Sequence, residues 1–424
     1  MNKALRMFTA LAAVSVITLA GVGRPASAQT FLSSESTEWK QDYDSGAKFQ
    51  AVRSSTPVLS KSTVASTEQT IAFYRDLVAR GGWPTINVNP RLKVGSRSKD
   101  VVTLRNRLIA GGDLDPSLGQ SPVYDSYVET AVKRFQNRHG LRPVGYMTPV
   151  TLASMNVPAE TRLKQLEVNL VRLRSHSGNL GNRYVIVNIP AAVVETVEDG
   201  VVHSRHDAGV GKEDRQSPIM DAKITQINFN PFWTVPSSII KKDLIPLMRE
   251  QPTYLAEHKI RIFNHQGKEM QASQVDWNSN EAMNYMFRQD PGGDVNSMGF
   301  VRINIPNPYG VYMHDTPAQG VFGDDFRFVS SGCVRVQNVR GYIEFLLARN
   351  EGWDKARIER TFESGERVDV TLSTPVPVYW TYITAWATPD GLVNFRNDIY
   401  NRDGIAGASV AMMEQDQLLY ESEN

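Results

Sequence analysis

The stretch Tyr184-Val185-Ile186-Val187-Asn188-Ile189, followed by Ala192 to Val197, a turn at Glu198-Asp199-Gly200 and a further run from Val201 to Ala208, changes the periodicity of the chain. Short runs rich in β-branched residues and separated by turn residues read as consecutive strands joined by hairpins. Lys223 to Trp233, Val368 to Leu372 and Val376 to Ala387 extend the pattern, the last turned at Pro389-Asp390-Gly391. This predicts an antiparallel β domain that begins at Arg183. His203 and His206 lie within it, but positions i and i+3 of a strand point to opposite faces. No thiolate or acidic cluster completes a ligand set, so they read as two surface histidines and not as a metal site.

Upstream, the spacing is helical. Ile71, Tyr74, Leu77 and Val78 predict a helix over 67–80, stopped by Gly81-Gly82-Trp83-Pro84, after a partly disordered Ser/Thr-rich leader. Val101, Leu104 and Leu108, then Val128, Ala131, Val132 and Phe135, then 148–155, predict three short helices between Leu92 and Pro158. Leu163, Leu166, Leu170 and Leu173 form one stripe of a further amphipathic helix over 158–175. Between Pro236 and Asn296 helical patterns interrupt the strands; an excursion of that length is either a lid or a rigid embellishment.

The chemistry concentrates further on. Tyr309 to His314 reads as a strand with Tyr312 and His314 on one face, and Ser330-Ser331-Gly332 as a tight turn before Cys333, the single cysteine of 424 residues. Small residues leave backbone N–H groups of Ser331, Gly332 and Cys333 free to converge beside the thiol, as a developing oxyanion requires. The nucleophile is the thiolate, so the thiol needs a base, and His314 is the nearest candidate. A lone cysteine is otherwise a small buried hydrophobe, and a lone histidine a packing residue. Asp315 neighbours His314 but points the other way in a strand, so a backbone carbonyl is the expected partner of the imidazole.

The run Ser330-Ser331-Gly332-Cys333-Val334-Arg335, preceded by His314, resembles the signature of the L,D-transpeptidase family of bacterial cell-wall enzymes. That signature is a histidine, an interval, and Ser/Thr-His-Gly-Cys followed by an apolar residue and Arg. Here Ser331 replaces the second histidine, as in the long Gram-negative subclass, which leaves His314 alone as base. The resemblance implies an α+β multidomain protein whose catalytic domain, residues 183–403, is a mainly antiparallel β-sandwich with a helical lid insertion over 237–296. It implies acyl transfer through a thioester on Cys333, with no metal or other cofactor. The donor would be a peptidoglycan stem tetrapeptide that loses its terminal D-Ala. Arg335 and Tyr312 are candidate substrate contacts, each with an ordinary structural reading beside it. The acceptor, whether another stem, an outer-membrane lipoprotein or water, stays open, as do partners among other wall enzymes.

Residues 91–157, with Leu92-Lys93-Val94-Gly95 and Ala131-Val132-Lys133-Arg134-Phe135-Gln136, resemble a small three-helix peptidoglycan-binding domain. A leader over 29–90, a linker helix over 158–182 and a frayed polar tail over 404–424 complete the expected organisation. Residues 1–28 read as a signal peptide: Lys3 and Arg6, an apolar run, then Ala26-Ser27-Ala28. The expected place is the periplasm, at the wall. Net charge is +1 with both signs mixed along the chain, so nothing favours nucleic acid as a partner.

Overall fold

A computed structural model describes residues 54–410, and all of them belong to one compact unit. The expected signal peptide, most of the leader and the last residues of the tail lie outside the described residues.

The first helix, α1 (Lys61–Ala79), starts six residues earlier than the apolar spacing predicts, capped by Ser60, whose side chain accepts from the Thr63 amide. The reason is that Thr63 and Thr67 occupy the buried stripe above Ile71 and Tyr74. A threonine hydroxyl can satisfy itself on the preceding turn, and Thr67 Oγ1 donates to the Thr63 carbonyl at 2.7 Å while accepting from the Ala387 amide at 3.0 Å. Helices α2 (Lys99–Ala110), α3 (Ser126–Arg138) and α4 (Pro149–Met155) pack Leu104, Leu108, Val132, Phe135 and Met155 into one small core. Helix α5 (Ala159–His176) buries Leu166 and Leu173 but also Arg162, Gln165 and Asn169, so its polar face is packed as well.

The β domain is built from β1 (Arg183–Asn188), β2 (Val193–Glu198), β3 (Val201–Gly211) and β4 (Met220–Phe229). The insertion contributes β5 (Trp233–Thr234), β6 (Ile260–Phe263), β7 (Glu269–Met270) and β8 (Met286–Gln289). Then follow β9 (Val301–Asn304), β10 (Met313–His314), β11 (Phe328–Ser330), β12 (Val334–Val336), β13 (Val368–Thr381), β14 (Ala385–Ala387) and β15 (Val393–Phe395).

The strand order β3-β12-β10-β9-β4-β13-β1-β2 returns to β3 through the β2–β3 hairpin, with β11 added alongside β3. The sheet is therefore closed and barrel-like, which corrects the expected sandwich. Two features allow closure. The 14-residue β13 pairs with β4 on one side and β1 on the other, and bulges between Thr371 and Val376 and between Thr196 and Val197 bend the strands. Most pairings are antiparallel, with β1–β13 and β10–β12 the parallel ones in the ring. The interior holds Val187, Ile227, Ile303, Met313, Val334, Val378 and Trp380, against which α6 (Val339–Leu347) lays Tyr342, Ile343 and Leu346. The bulge at Thr196/Val197 re-aims the β3 histidines. His206 is buried, with Nδ1 on the Gln337 carbonyl at 3.0 Å and Nε2 beside Ser204 Oγ at 2.8 Å, which corrects its reading as a surface residue.

The insertion is not simply helical. It holds a four-stranded antiparallel sheet in the order β5-β8-β6-β7 and short helices, around a core of its own that includes Ile240, Leu244, Ile262 and Phe287. The chain over Ile240–Leu244 is a π-helix. Pro246 lacks the N–H that would take the Lys242 carbonyl, so the ladder shifts register there.

Candidate active site

The site sits on the outer face of the barrel, where β12, β10 and β9 lie side by side. In β9, Val301, Ile303 and Ile305 point inward, so Arg302 and Asn304 point outward. The strand register pairs His314 with Arg335 on one side and with Arg302 on the other, and Arg302 with Asn228 of β4. One step along, the Val334 amide donates to the Tyr312 carbonyl at 3.0 Å. Cys333 precedes Val334 and so lies beside Tyr312. Sequence-remote residues thus form one polar row across neighbouring strands.

His314 is 5% exposed, and its Nδ1 donates to the backbone carbonyl of Asp315 at 2.5 Å. That bond fixes the tautomer with Nε2 unprotonated, the state a base needs. Burial first, then the Arg335 guanidinium, hold the imidazole far below its usual range, to about 3. Burial likewise pushes the Cys333 thiol up, opposed by hydrogen bonding to Tyr312 and by Arg302 and Arg335. The resting pair is therefore neutral thiol and neutral imidazole, not an ion pair. The Asp315 carboxylate turns away, as the strand alternation predicts, and accepts from the Phe300 amide at 3.0 Å.

The turn before the thiol is held on all sides. Gly332 has φ +113°, a conformation that side chains resist. Its carbonyl accepts from Ser217 Oγ at 2.8 Å, and Ser217 is itself bonded to Gly211 and Tyr400. Ser330 Oγ donates to the Cys333 carbonyl at 2.6 Å and accepts from the Gly332 amide at 3.1 Å. The Gly332 N–H is thereby consumed, which removes it from the expected set of oxyanion donors. The amides of Ser331 and Cys333 engage no acceptor among the described residues.

The insertion reaches this turn. Arg215 donates to both oxygens of Asp243 in the π-helix, at 2.5 and 2.8 Å, and from Nη1 to Ser331 Oγ at 2.9 Å. Trp233 Nε1 donates to Tyr312 Oη at 3.2 Å, so Tyr312, 9% exposed, is clamped between the insertion and the thiol. Arg335 is half-buried, and Gly209 beside it leaves room, since a Cβ there would lie 3.4 Å from Arg335 carbons. Residue types alone did not point to Arg215, Ser217, Tyr400 or Arg302. The alternation Val301-Arg302-Ile303-Asn304-Ile305 carried a readable signal for the last of these.

Two stretches of the chain match known families. Residues 182–378 match the one described as "L,D-transpeptidase catalytic domain", and residues 97–155 the one described as "Putative peptidoglycan binding domain". The barrel is similar to L,D-transpeptidase catalytic domains. A curated protein of Haemophilus influenzae described as "Putative L,D-transpeptidase" is 31% identical over 245 residues, which cover 57% of this chain and 48% of that protein. The chain thus spans about half the length of the curated relative it matches. Among solved structures, an L,D-transpeptidase from Stackebrandtia nassauensis is 13% identical with a TM-score of 0.26, covering 70% of this chain and 97% of that one. Another from Mycobacterium smegmatis is 13% identical with a TM-score of 0.23, covering 47% of this chain and 58% of its own.

A cavity of about 440 Å³ lies away from this site, between the helical module and the barrel. Leu141, Glu195, Arg205 and Trp386 line it, and neither Cys333 nor His314 does.

Proposed function

We propose that the protein is an exported cell-wall L,D-transpeptidase that cross-links peptidoglycan through a thioester on Cys333. The observation that carries the reading is the parallel pairing of β10, which holds His314, with β12, which Cys333 immediately precedes, with Nδ1 of the imidazole tied to a backbone carbonyl. The donor is a stem tetrapeptide. Its scissile carbonyl receives the sulfur as the thiol proton passes to Nε2 of His314, so the nucleophile is generated only at the moment of attack. The amides of Ser331 and Cys333 face the developing oxyanion, each such donor being worth about 3 kcal/mol in the transition state. The imidazolium then returns its proton to the departing amine, which leaves as D-Ala. An amine of a neighbouring stem, deprotonated by the same imidazole, attacks the thioester and restores the thiol.

The helical module holds the wall, the insertion covers the cleft through Trp233 and Asp243, and residues 1–28 direct the chain to the periplasm. Arg335 and Tyr312 line the donor subsite.

The test is mass spectrometry of the mature protein, and of a Cys333→Ala variant, with disaccharide-tetrapeptides. Cross-linked dimers that lack one D-Ala and vanish with the variant support the reading. Cysteine-dependent loss of D-Ala without dimers favours a hydrolase or a different acceptor, and no turnover with no adduct favours a wall-binding role.

A further inference from the structure

Two guanidinium groups at the site have no partner. Arg302 and Arg335 flank His314 across β9 and β12, yet among the described residues neither guanidinium makes an ion pair or donates a hydrogen bond. The Nε of each is buried with no acceptor. Other guanidiniums are matched by carboxylates, Arg138 by Asp113, Arg215 by Asp243 and Arg205 by Glu195, while Arg288 of the insertion, whose Nε also lacks an acceptor, is stacked over Phe232 and Phe263. A buried donor left unmade carries a desolvation penalty of about 1–3 kcal/mol, more when charged, so a pair of them in one cleft calls for an anion.

The surroundings supply none. Beyond Arg302 the row continues with Asn228 and then Asp369, and that carboxylate is already taken by the Asn228 amide at 2.7 Å. Arg302 is held in place, its guanidinium carbon 4.3 Å from the centre of the Tyr312 ring. Nor do the two cations serve the base, since both disfavour its protonated form.

We propose that Arg302 and Arg335 together clamp a carboxylate of the acyl donor, so that this site selects donors with a free carboxylate next to the scissile carbonyl. The inference rests on the transpeptidase reading for the identity of the donor, but the anion site itself does not. Two guanidiniums on one face can each donate to an oxygen of one carboxylate. The carboxylate is either that of the leaving residue or a side-chain carboxylate of the residue before it.

Alkylation of Cys333 reads the clamp without turnover. Iodoacetate carries its carboxylate directly on the carbon attacked, and iodoacetamide is its neutral counterpart. In the full chain the rate ratio of iodoacetate to iodoacetamide should exceed that of a free thiol, and Arg302→Gln or Arg335→Gln should lower it about tenfold. Arg302→Lys should keep part of it. An unchanged ratio, or an equal loss for both reagents with a shifted iodoacetamide pH profile, overturns the proposal, because the arginines would then act on the thiolate alone. A measurement on the unaltered protein stands beside these. A tetrapeptide should protect Cys333 from iodoacetamide, and converting the carboxylate that the clamp holds to an amide should remove the protection. The terminal and the side-chain amide identify which carboxylate it is, and protection that survives both amides refutes the clamp. Failure of cross-linking with the clamp intact would sink the transpeptidase reading and leave the anion site standing.

Discussion

Arg138 and the pair Arg302 and Arg335 sit in regions of similar burial and opposite completeness. Arg138 joins α3 to the rest of the protein: it bonds both oxygens of Asp113 at 2.7 and 2.6 Å, and its own carbonyl accepts from Arg396 of the segment after β15. The charge of Arg138 is matched there by the fold. On the β12–β10–β9 face the fold instead leaves the Nε groups of two guanidiniums and two backbone amides without acceptors, beside the thiol and a neutral histidine. A region whose polar groups are satisfied internally holds the molecule together, and one whose groups wait is built to receive something.

The contrast breaks most sharply at the thiol. Cys333→Ala should lower acyl transfer by about 10⁴-fold or more while unfolding changes by roughly 1 kcal/mol or less, since only a half-buried sulfur is lost. Turnover and a denaturation curve on the same preparation check both halves. Asp113→Ala should do the reverse. It leaves Arg138 buried and uncompensated, at about 3–5 kcal/mol of stability, with turnover per folded molecule nearly unchanged. A loss of specific activity with normal stability would erase the distinction between the regions.

pH sharpens it next. His314 in the folded protein titrates at about 3, below the unfolded value near 6.5, so between those values the unfolded chain binds the extra proton. Stability therefore falls as pH drops through this window, and the contribution of His314 at pH 4.5 is on the order of 2–3 kcal/mol. A His314→Gln variant should show a flatter acid limb, and parallel limbs would contradict the burial of a neutral imidazole. The smallest effect concerns the insertion. Asp243→Asn frees Arg215 from one of its charge-assisted contacts and loosens its hold on Ser331 Oγ. Turnover should fall several-fold through kcat, with stability within about 1 kcal/mol because the pair is partly exposed.

Much of the site was legible before the fold. The proposed thiol, its base and the turn are close in sequence, and the expectation of a backbone carbonyl behind His314 in place of Asp315 matches the Asp315 carbonyl found there. Gly332 was read as a free donor because a tight turn exposes its amide, and only the rotamer of Ser330 shows that amide taken. The strand expected over 309–314 is paired only at Met313 and His314, since Asn307 Oδ1 accepts from the Tyr309 amide and holds the preceding residues in a turn.

What the sequence determined by itself was local: period-two alternation for the β domain, 3.6-residue spacing for the helices, and a Ser-Ser-Gly-Cys turn that only a glycine at φ +113° can make. What the tertiary structure decided was everything that depends on which strands meet. Closure of the sheet into a barrel, the parallel pairing of β10 with β12, and the arrival of Arg302, Arg215 and Tyr400 around the thiol all come from contacts between residues far apart in the chain. The physical reason is that alternation fixes which face a side chain takes but carries no information about its neighbour across the strand gap. That neighbour is chosen by the packing of the whole core.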